Sequence, residues 1–70
     1  MTDYVVIYEQ NRDGWWAYVP DLPGCTAHGD DRAAVELAAR DAILAHLELL
    51  RRSGRPVPPP VARDAGRIAI

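Results

Sequence analysis

The sequence predicts an α+β fold with the element order β-β-β-α-β. A three-stranded antiparallel sheet should carry one long helix on one face, and a short C-terminal strand should follow. Three observations predict this: an N-terminal run of β-branched and aromatic residues that turns back on itself, a long stretch with helical spacing of apolar side chains, and a proline-rich segment after it. Seventy residues suit one small domain, so residues 1–70 are treated as a single unit.

The first half of the chain is predicted to form three short strands. Tyr4–Glu9, YVVIYE, is the strongest strand pattern, and the turn residues of Asn11–Gly14 lead it into a hairpin with Trp15–Val19. Leu22–Cys25 has proline and glycine at the two central positions of a type II turn. The chain therefore reverses into a third strand, Cys25–Gly29.

A single helix is predicted from about Arg32 to Arg52. Asp30 or Asp31 is a good N-cap, and the apolar residues that follow keep the spacing of one helical face. Gly54 should close the helix.

The chain after the helix is predicted to be extended. Prolines crowd residues 55–60, which makes this a stiff crossing segment. Gly66–Ile70, GRIAI, alternates weakly and is predicted to be a last strand, parallel to the first.

The two faces of the predicted hairpin are the most informative feature of the sequence. An even-numbered loop places Tyr8 opposite Ala17, which sorts the strand residues onto two apolar faces, although the chain has one helix to cover them. Small Ala17 favours close approach of the alanine-rich helix on its own side. The other face is then left for another protein or for a second copy of the chain. The predicted partner-interface residues on it are Val5, Ile7, Glu9, Trp16 and Tyr18.

Charge and cysteine content restrict the functional classes. Residues 1–31 hold one arginine against six acidic residues, a net charge of −5, whereas residues 32–70 hold seven arginines against four acidic residues, a net charge of +3. An acidic sheet half suits a basic partner and argues against non-specific nucleic-acid binding. One cysteine forms no internal disulfide, and neither a secretion signal nor a membrane-spanning stretch is evident, so we expect a cytoplasmic protein that gains stability by self-association.

No catalytic or metal site is expected. Cys25 has no adjacent base to lower its pKa, and His28, three residues further along a strand, points to the opposite side. His46 lies on the apolar face of the helix, where a packed histidine is the common case. The acidic residues of the N-terminal half occur at strand ends, in a turn or at the helix cap, so a nuclease with a carboxylate-bound metal is the weakest alternative. We expect neither enzymatic activity nor a cofactor.

The order of these residues resembles the HicB-like antitoxins. The run GWWAYVPDLPGC, the Gly-Asp before the helix, the regularly spaced alanines and the Gly-x-Pro-hydrophobic-Pro exit of the helix carry the resemblance over nearly the whole chain. It implies a partial ribonuclease-H-like fold of order β-β-β-α-β. It also implies an antitoxin that neutralises HicA, a small basic toxin that cleaves mRNA, by covering the RNA-binding and catalytic surface of that toxin.

Two departures from the family pattern affect this expectation. Many such antitoxins continue into a DNA-binding module, and because this sequence stops at Ile70 we expect no direct DNA contact from it. The helix start lacks the glutamate of a capping box, since Ala34 stands three residues after Asp31. A solitary homo-oligomeric module with a scaffolding or small-ligand role is the alternative function.

Overall fold

The computed structural model describes residues 3–62 together with Ile68 and Ala69. It contains three strands, β1 (Ile7–Asn11), β2 (Gly14–Tyr18) and β3 (Thr26–Gly29), followed by one helix, α1 (Arg32–Arg52). The strands form one antiparallel sheet in the order β1-β2-β3. The predicted α+β arrangement of three strands and one long helix is therefore confirmed.

The predicted C-terminal strand falls largely outside the described residues. Of its five positions, Gly66, Arg67 and Ile70 are not among them. Ile68 and Ala69 are described and belong to no strand.

The hairpin between β1 and β2 has the predicted register. Tyr8 lies opposite Ala17, and Arg12 and Asp13 form the loop between the paired residues Asn11 and Gly14. The side chain of Asn11 accepts a hydrogen bond from the backbone N–H of Asp13 at 2.9 Å, which closes the loop.

β1 begins three residues later than the sequence predicts. The ladder starts at Ile7, opposite Tyr18, whereas the strand was expected from Tyr4. Pro20 has no N–H to donate, and the N–H of Leu22 turns back to the carbonyl of Val19 at 3.1 Å. The second strand therefore ends before it can pair with the first residues of the predicted strand.

The turn before β3 follows the prediction. The N–H of Cys25 donates to the carbonyl of Leu22 at 3.0 Å, and Gly24 has φ of 86°, as the third position of a type II turn requires. Val19 N–H donates to the carbonyl of Cys25 at 3.2 Å and holds the ends of the loop together.

The core lies between the sheet and α1 on the Ala17 side, as predicted. Ala17 and Ala27 from the sheet meet Val35 and Ala39 from the helix, and all four are buried. These small side chains let the helix backbone approach the sheet closely. A second buried cluster of Val19, Leu22 and Cys25 packs beneath the C-terminal half of the helix, next to Ala42, Ile43 and Leu47.

Both ends of α1 are capped. Asp31, rather than Asp30, is the N-cap, and its carboxylate accepts a hydrogen bond from Ala34 N–H at 2.7 Å. At the other end, Arg55 N–H donates to the carbonyl of Leu50 at 3.0 Å and Gly54 N–H to that of Arg51 at 3.2 Å. This pair of bonds is a Schellman motif.

The proline-rich exit runs back to the sheet. The hydroxyl of Tyr4 donates a hydrogen bond to the carbonyl of Pro58, and Ala62 N–H donates to the carboxylate of Asp21 at 3.0 Å. These two bonds hold the segment against the residues that precede β1 and against the β2–β3 loop.

The helix covers the sheet unevenly. α1 packs mainly over β3 and β2, so a groove of about 930 Å³ opens between the helix and the β1 side of the sheet. Within residues 3–62, α1 is too polar to span a bilayer.

Candidate protein-binding surface

The sheet face opposite α1 has no covering element among the described residues. We call it the open face, and define it by Ile7 and Glu9 on β1, Trp16 and Tyr18 on β2, and Thr26 and His28 on β3. Pairing across the sheet fixes its layout: Trp16 lies between Glu9 and His28, and Tyr18 lies between Ile7 and Thr26. Four of the five predicted interface residues, Ile7, Glu9, Trp16 and Tyr18, are therefore neighbours on one side of the sheet, whereas Val5 precedes the paired strand.

Two aromatic side chains form the centre of the open face. The rings of Trp16 and Tyr18 stack with their centroids 5.2 Å apart and their planes 29° from parallel. Both side chains are half-buried, and part of that burial comes from their contact with each other. Stacked rings of this kind lose little conformational freedom when a partner docks, which favours binding.

The edges of the open face are polar. Glu9 and His28 are exposed on either side of Trp16, and Thr26 is exposed beside Tyr18. An aromatic centre with a polar rim is the usual composition of a protein-binding surface.

The cysteine and the two histidines, which are the other candidate reactive side chains, lie in separate parts of the structure. Cys25 is 4% exposed within the second core cluster, and burial raises the pKa of its thiol, which favours the protonated, less nucleophilic form. His28 lies on the open face, on the other side of the sheet from the helix. His46 is half-buried on α1 in a recess with Pro23 and Leu50. Residues 3–62 bring no three His, Cys, Asp or Glu side chains together as a metal site would require.

Thr26 and His28 were not predicted as members of the open face. Alternation along β3 was the available indication, since Ala27 between them is buried. Which face each residue takes depends on how the loop from Val19 to Cys25 closes, and that is set by its turn geometry.

Comparison with known proteins agrees with this architecture. Residues 4–67 match the family described as "HicB_like antitoxin of bacterial toxin-antitoxin system". A chain in the solved structure of the "HicA3 and HicB3 toxin-antitoxin complex" is similar, with a TM-score of 0.74 and 32% identity over 84% of this chain and 70% of that one.

Two curated proteins are also similar in sequence. An uncharacterized 14.9 kDa protein from the rep-hol intergenic region of Haemophilus phage HP1 is 40% identical over 45 residues, which are 64% of this chain and 34% of the phage protein. The chain thus spans about a third of the length of that relative. The UPF0150 protein Ta0767 of Thermoplasma acidophilum is 32% identical over 79% of this chain and 81% of its own length. With the family match covering nearly all of the sequence, the chain belongs to the HicB-like antitoxin family of bacterial toxin-antitoxin systems.

Proposed function

We propose that this protein neutralises a HicA-type, mRNA-cleaving toxin in the cytoplasm by laying its open face over the RNA-binding and catalytic surface of the toxin. The observation that carries the proposal is the stacked pair Trp16 and Tyr18 at the centre of a sheet face that α1 does not cover. In this proposal the protein acts by occlusion and performs no chemistry of its own.

The aromatic pair supplies the binding energy in this proposal. Tryptophan and tyrosine are the residues most often found as energetic hot spots in protein interfaces. Trp16 and Tyr18 project from a strand that is paired on both sides, so their backbone is held rigidly. A rigid aromatic centre of this kind fits a folded toxin surface better than a flexible peptide.

Charge supplies the selectivity. The N-terminal half, residues 1–31, contains all three described strands and carries a net charge of −5. Glu9 is exposed directly beside Trp16, so a basic surface that binds RNA would meet a carboxylate next to the aromatic centre. Such complementarity accelerates association and weakens with added salt.

The test is co-expression with the protein encoded by the adjacent gene, followed by calorimetry with a catalytically inactive form of that toxin. We expect a mixed complex, and we expect Trp16→Ala to weaken it by about 2 kcal/mol or more, a roughly thirtyfold rise in Kd. Glu9→Lys should slow association and reduce its dependence on salt. Cleavage of mRNA by the active toxin should resume when either variant replaces the wild type.

Leu49→Ala is the matched control. Leu49 is 63% exposed on α1, which lies on the other side of the sheet from the open face, so its truncation should leave toxin binding unchanged. A homo-oligomer that binds no toxin and dissociates on Trp16→Ala would contradict the proposal. That result would favour the solitary, self-assembling alternative.

A further inference from the structure

His28 lies beside the aromatic centre of the open face. It is the cross-strand neighbour of Trp16 on β3, and its side chain is exposed. The hydrogen bond from Val19 N–H to the carbonyl of Cys25 fixes the alternation along these two strands, so Trp16 and His28 form a non-hydrogen-bonded pair. The Cα atoms of such pairs lie about 4.5 Å apart, and their side chains approach more closely than those of hydrogen-bonded pairs. A partner that covers the indole of Trp16 therefore covers the imidazole as well.

Three acidic side chains share this part of the surface with His28. Glu9 lies beyond Trp16 on β1, and Asp13 and Asp30 line, together with His28, a recess at the hairpin end of the sheet. β3 is an outer strand, with no further strand beside it among the described residues. Carboxylates ordinarily titrate below about pH 5, whereas imidazole is the side chain that ordinarily changes its charge between about pH 5 and 8. Mild acid therefore changes the charge of this surface through the proton on His28.

A basic partner disfavours that proton for two reasons. The RNA-binding surface of the proposed toxin is cationic, so it repels an imidazolium that it covers. Docking also removes water from the imidazole next to Trp16, and desolvation disfavours the charged form of a histidine. Both effects act in the same direction: the complex holds fewer protons than the free protein, so a fall in pH should weaken binding.

We infer that His28 is a binding residue of the open face and that its protonation weakens the contact with a basic toxin, which makes neutralisation of the toxin sensitive to pH. This inference rests on the proposed function, because the basic partner comes from it. β3 then belongs to the buried surface together with β1 and β2, and the charge of one side chain on β3 regulates the contact. An exposed histidine without this role would leave toxin binding unchanged when it is replaced.

Calorimetric titration with a catalytically inactive toxin at about pH 8 and about pH 6 tests the role of His28. A proton that the complex excludes raises Kd by up to about tenfold for each pH unit below the titration midpoint, so the wild type should lose affinity about threefold over this interval. His28→Gln, which stays neutral, should bind tightly at both pH values. His28→Lys, which stays cationic, should bind weakly at both.

His46→Gln is the matched control. His46 is half-buried on α1 in the recess with Pro23 and Leu50, away from the open face, so its replacement should leave the pH dependence of the wild type unchanged. The titratable groups of the toxin are common to all titrations, so comparing His28→Gln with His46→Gln isolates the imidazole of the open face. Titrations in two buffers of different ionisation enthalpy count the protons released on binding at about pH 6, and His28→Gln should release fewer than the wild type.

Two outcomes would overturn the inference and leave the proposed antitoxin function intact: a pH dependence that His28→Gln shares with the wild type, or a His28→Lys variant that binds as tightly as His28→Gln. In both cases the toxin still binds, but the charge at position 28 does not affect the complex. A toxin that binds the wild type at neither pH would overturn the inference and the proposed function together.

Discussion

Gly29 lies directly against Val35 where the last strand meets the helix. A Cβ atom added to Gly29 would come within 2.4 Å of the backbone nitrogen of Val35 and within 2.8 Å of its Cα. That nitrogen is itself held by a hydrogen bond to the carbonyl of Asp31 at 3.0 Å. The absence of a side chain at position 29 therefore sets how closely the sheet and the helix approach.

Replacing this glycine should destabilise the fold. Gly29→Ala has to push the first turn of α1 away from the sheet, and we expect it to lower the free energy of unfolding by about 2–3 kcal/mol, as overpacking does elsewhere. Urea denaturation followed by circular dichroism measures the change. Gly24→Ala is the control: its Cβ would meet nothing within 4 Å, so backbone strain at φ of 86° should lower the stability by about 1 kcal/mol. Equal losses in the two variants would contradict the close-contact explanation.

The N-cap of α1 gives a second prediction. Asp31→Ala removes the carboxylate that accepts from Ala34 N–H, and the free energy of unfolding should fall by about 1 kcal/mol. Asp31→Asn keeps a side-chain acceptor and should retain most of that stability. The neighbouring Asp30→Ala has the same change in charge without the cap, so thermal denaturation should show a smaller loss. A larger effect at Asp30 would mean that the helix begins one residue earlier.

Attachment of the proline-rich segment is a third testable feature. Tyr4→Phe removes the hydroxyl that donates to Pro58, and Asp21→Ala removes the acceptor for Ala62 N–H. Each should cost about 1 kcal/mol, and the double variant should release the segment. Amide hydrogen exchange should then become faster around residues 57–62 and stay unchanged in α1. Uniformly faster exchange along the chain would instead indicate global destabilisation.

Cys25 gives a prediction about alkaline pH. Because burial raises the pKa of its thiol, the unfolded chain ionises at a lower pH than the folded protein. The thiol's contribution to stability is therefore complete below its ordinary pKa and decreases as the pH rises toward the folded-state value. Urea denaturation at a series of pH values from neutral to alkaline should show that the difference in free energy of unfolding between the wild type and Cys25→Ala becomes smaller as the pH rises. A difference that stays constant with pH would mean that the thiol has the same pKa in the folded and the unfolded protein.

The features that depend on local pattern were predictable from the sequence. The Tyr8–Ala17 register followed from the parity of the hairpin loop, and the helix followed from its alanine spacing and Gly54. The choice between Asp30 and Asp31 was not predictable, since both are good caps and the Gly29–Val35 contact decides where α1 can start. β1 starts late because Pro20 ends the neighbouring strand before it can pair with the residues that precede Ile7. The apolar pattern of Tyr4–Glu9 alone does not reveal this effect.

The candidate site also has a part that the sequence pattern predicts and a part that it does not. Alternation along the hairpin placed Trp16 and Tyr18 together, and the two rings do stack. Thr26 and His28 were missed because their orientation depends on a seven-residue loop, Val19–Cys25, closed by backbone hydrogen bonds. Use of this surface as an interface remains a proposal.

The two adjacent tryptophans also give the molecule two independent optical reporters. Trp15 packs against the core cluster under α1, whereas Trp16 stacks on Tyr18 on the open face. In Trp16→Phe the remaining indole is that of Trp15, whose emission wavelength should change when the protein unfolds and stay constant when a partner docks on the open face. In Trp15→Phe the remaining indole should change its emission when a partner covers the sheet. A single pair of conservative variants therefore separates folding from binding by fluorescence, without any added label.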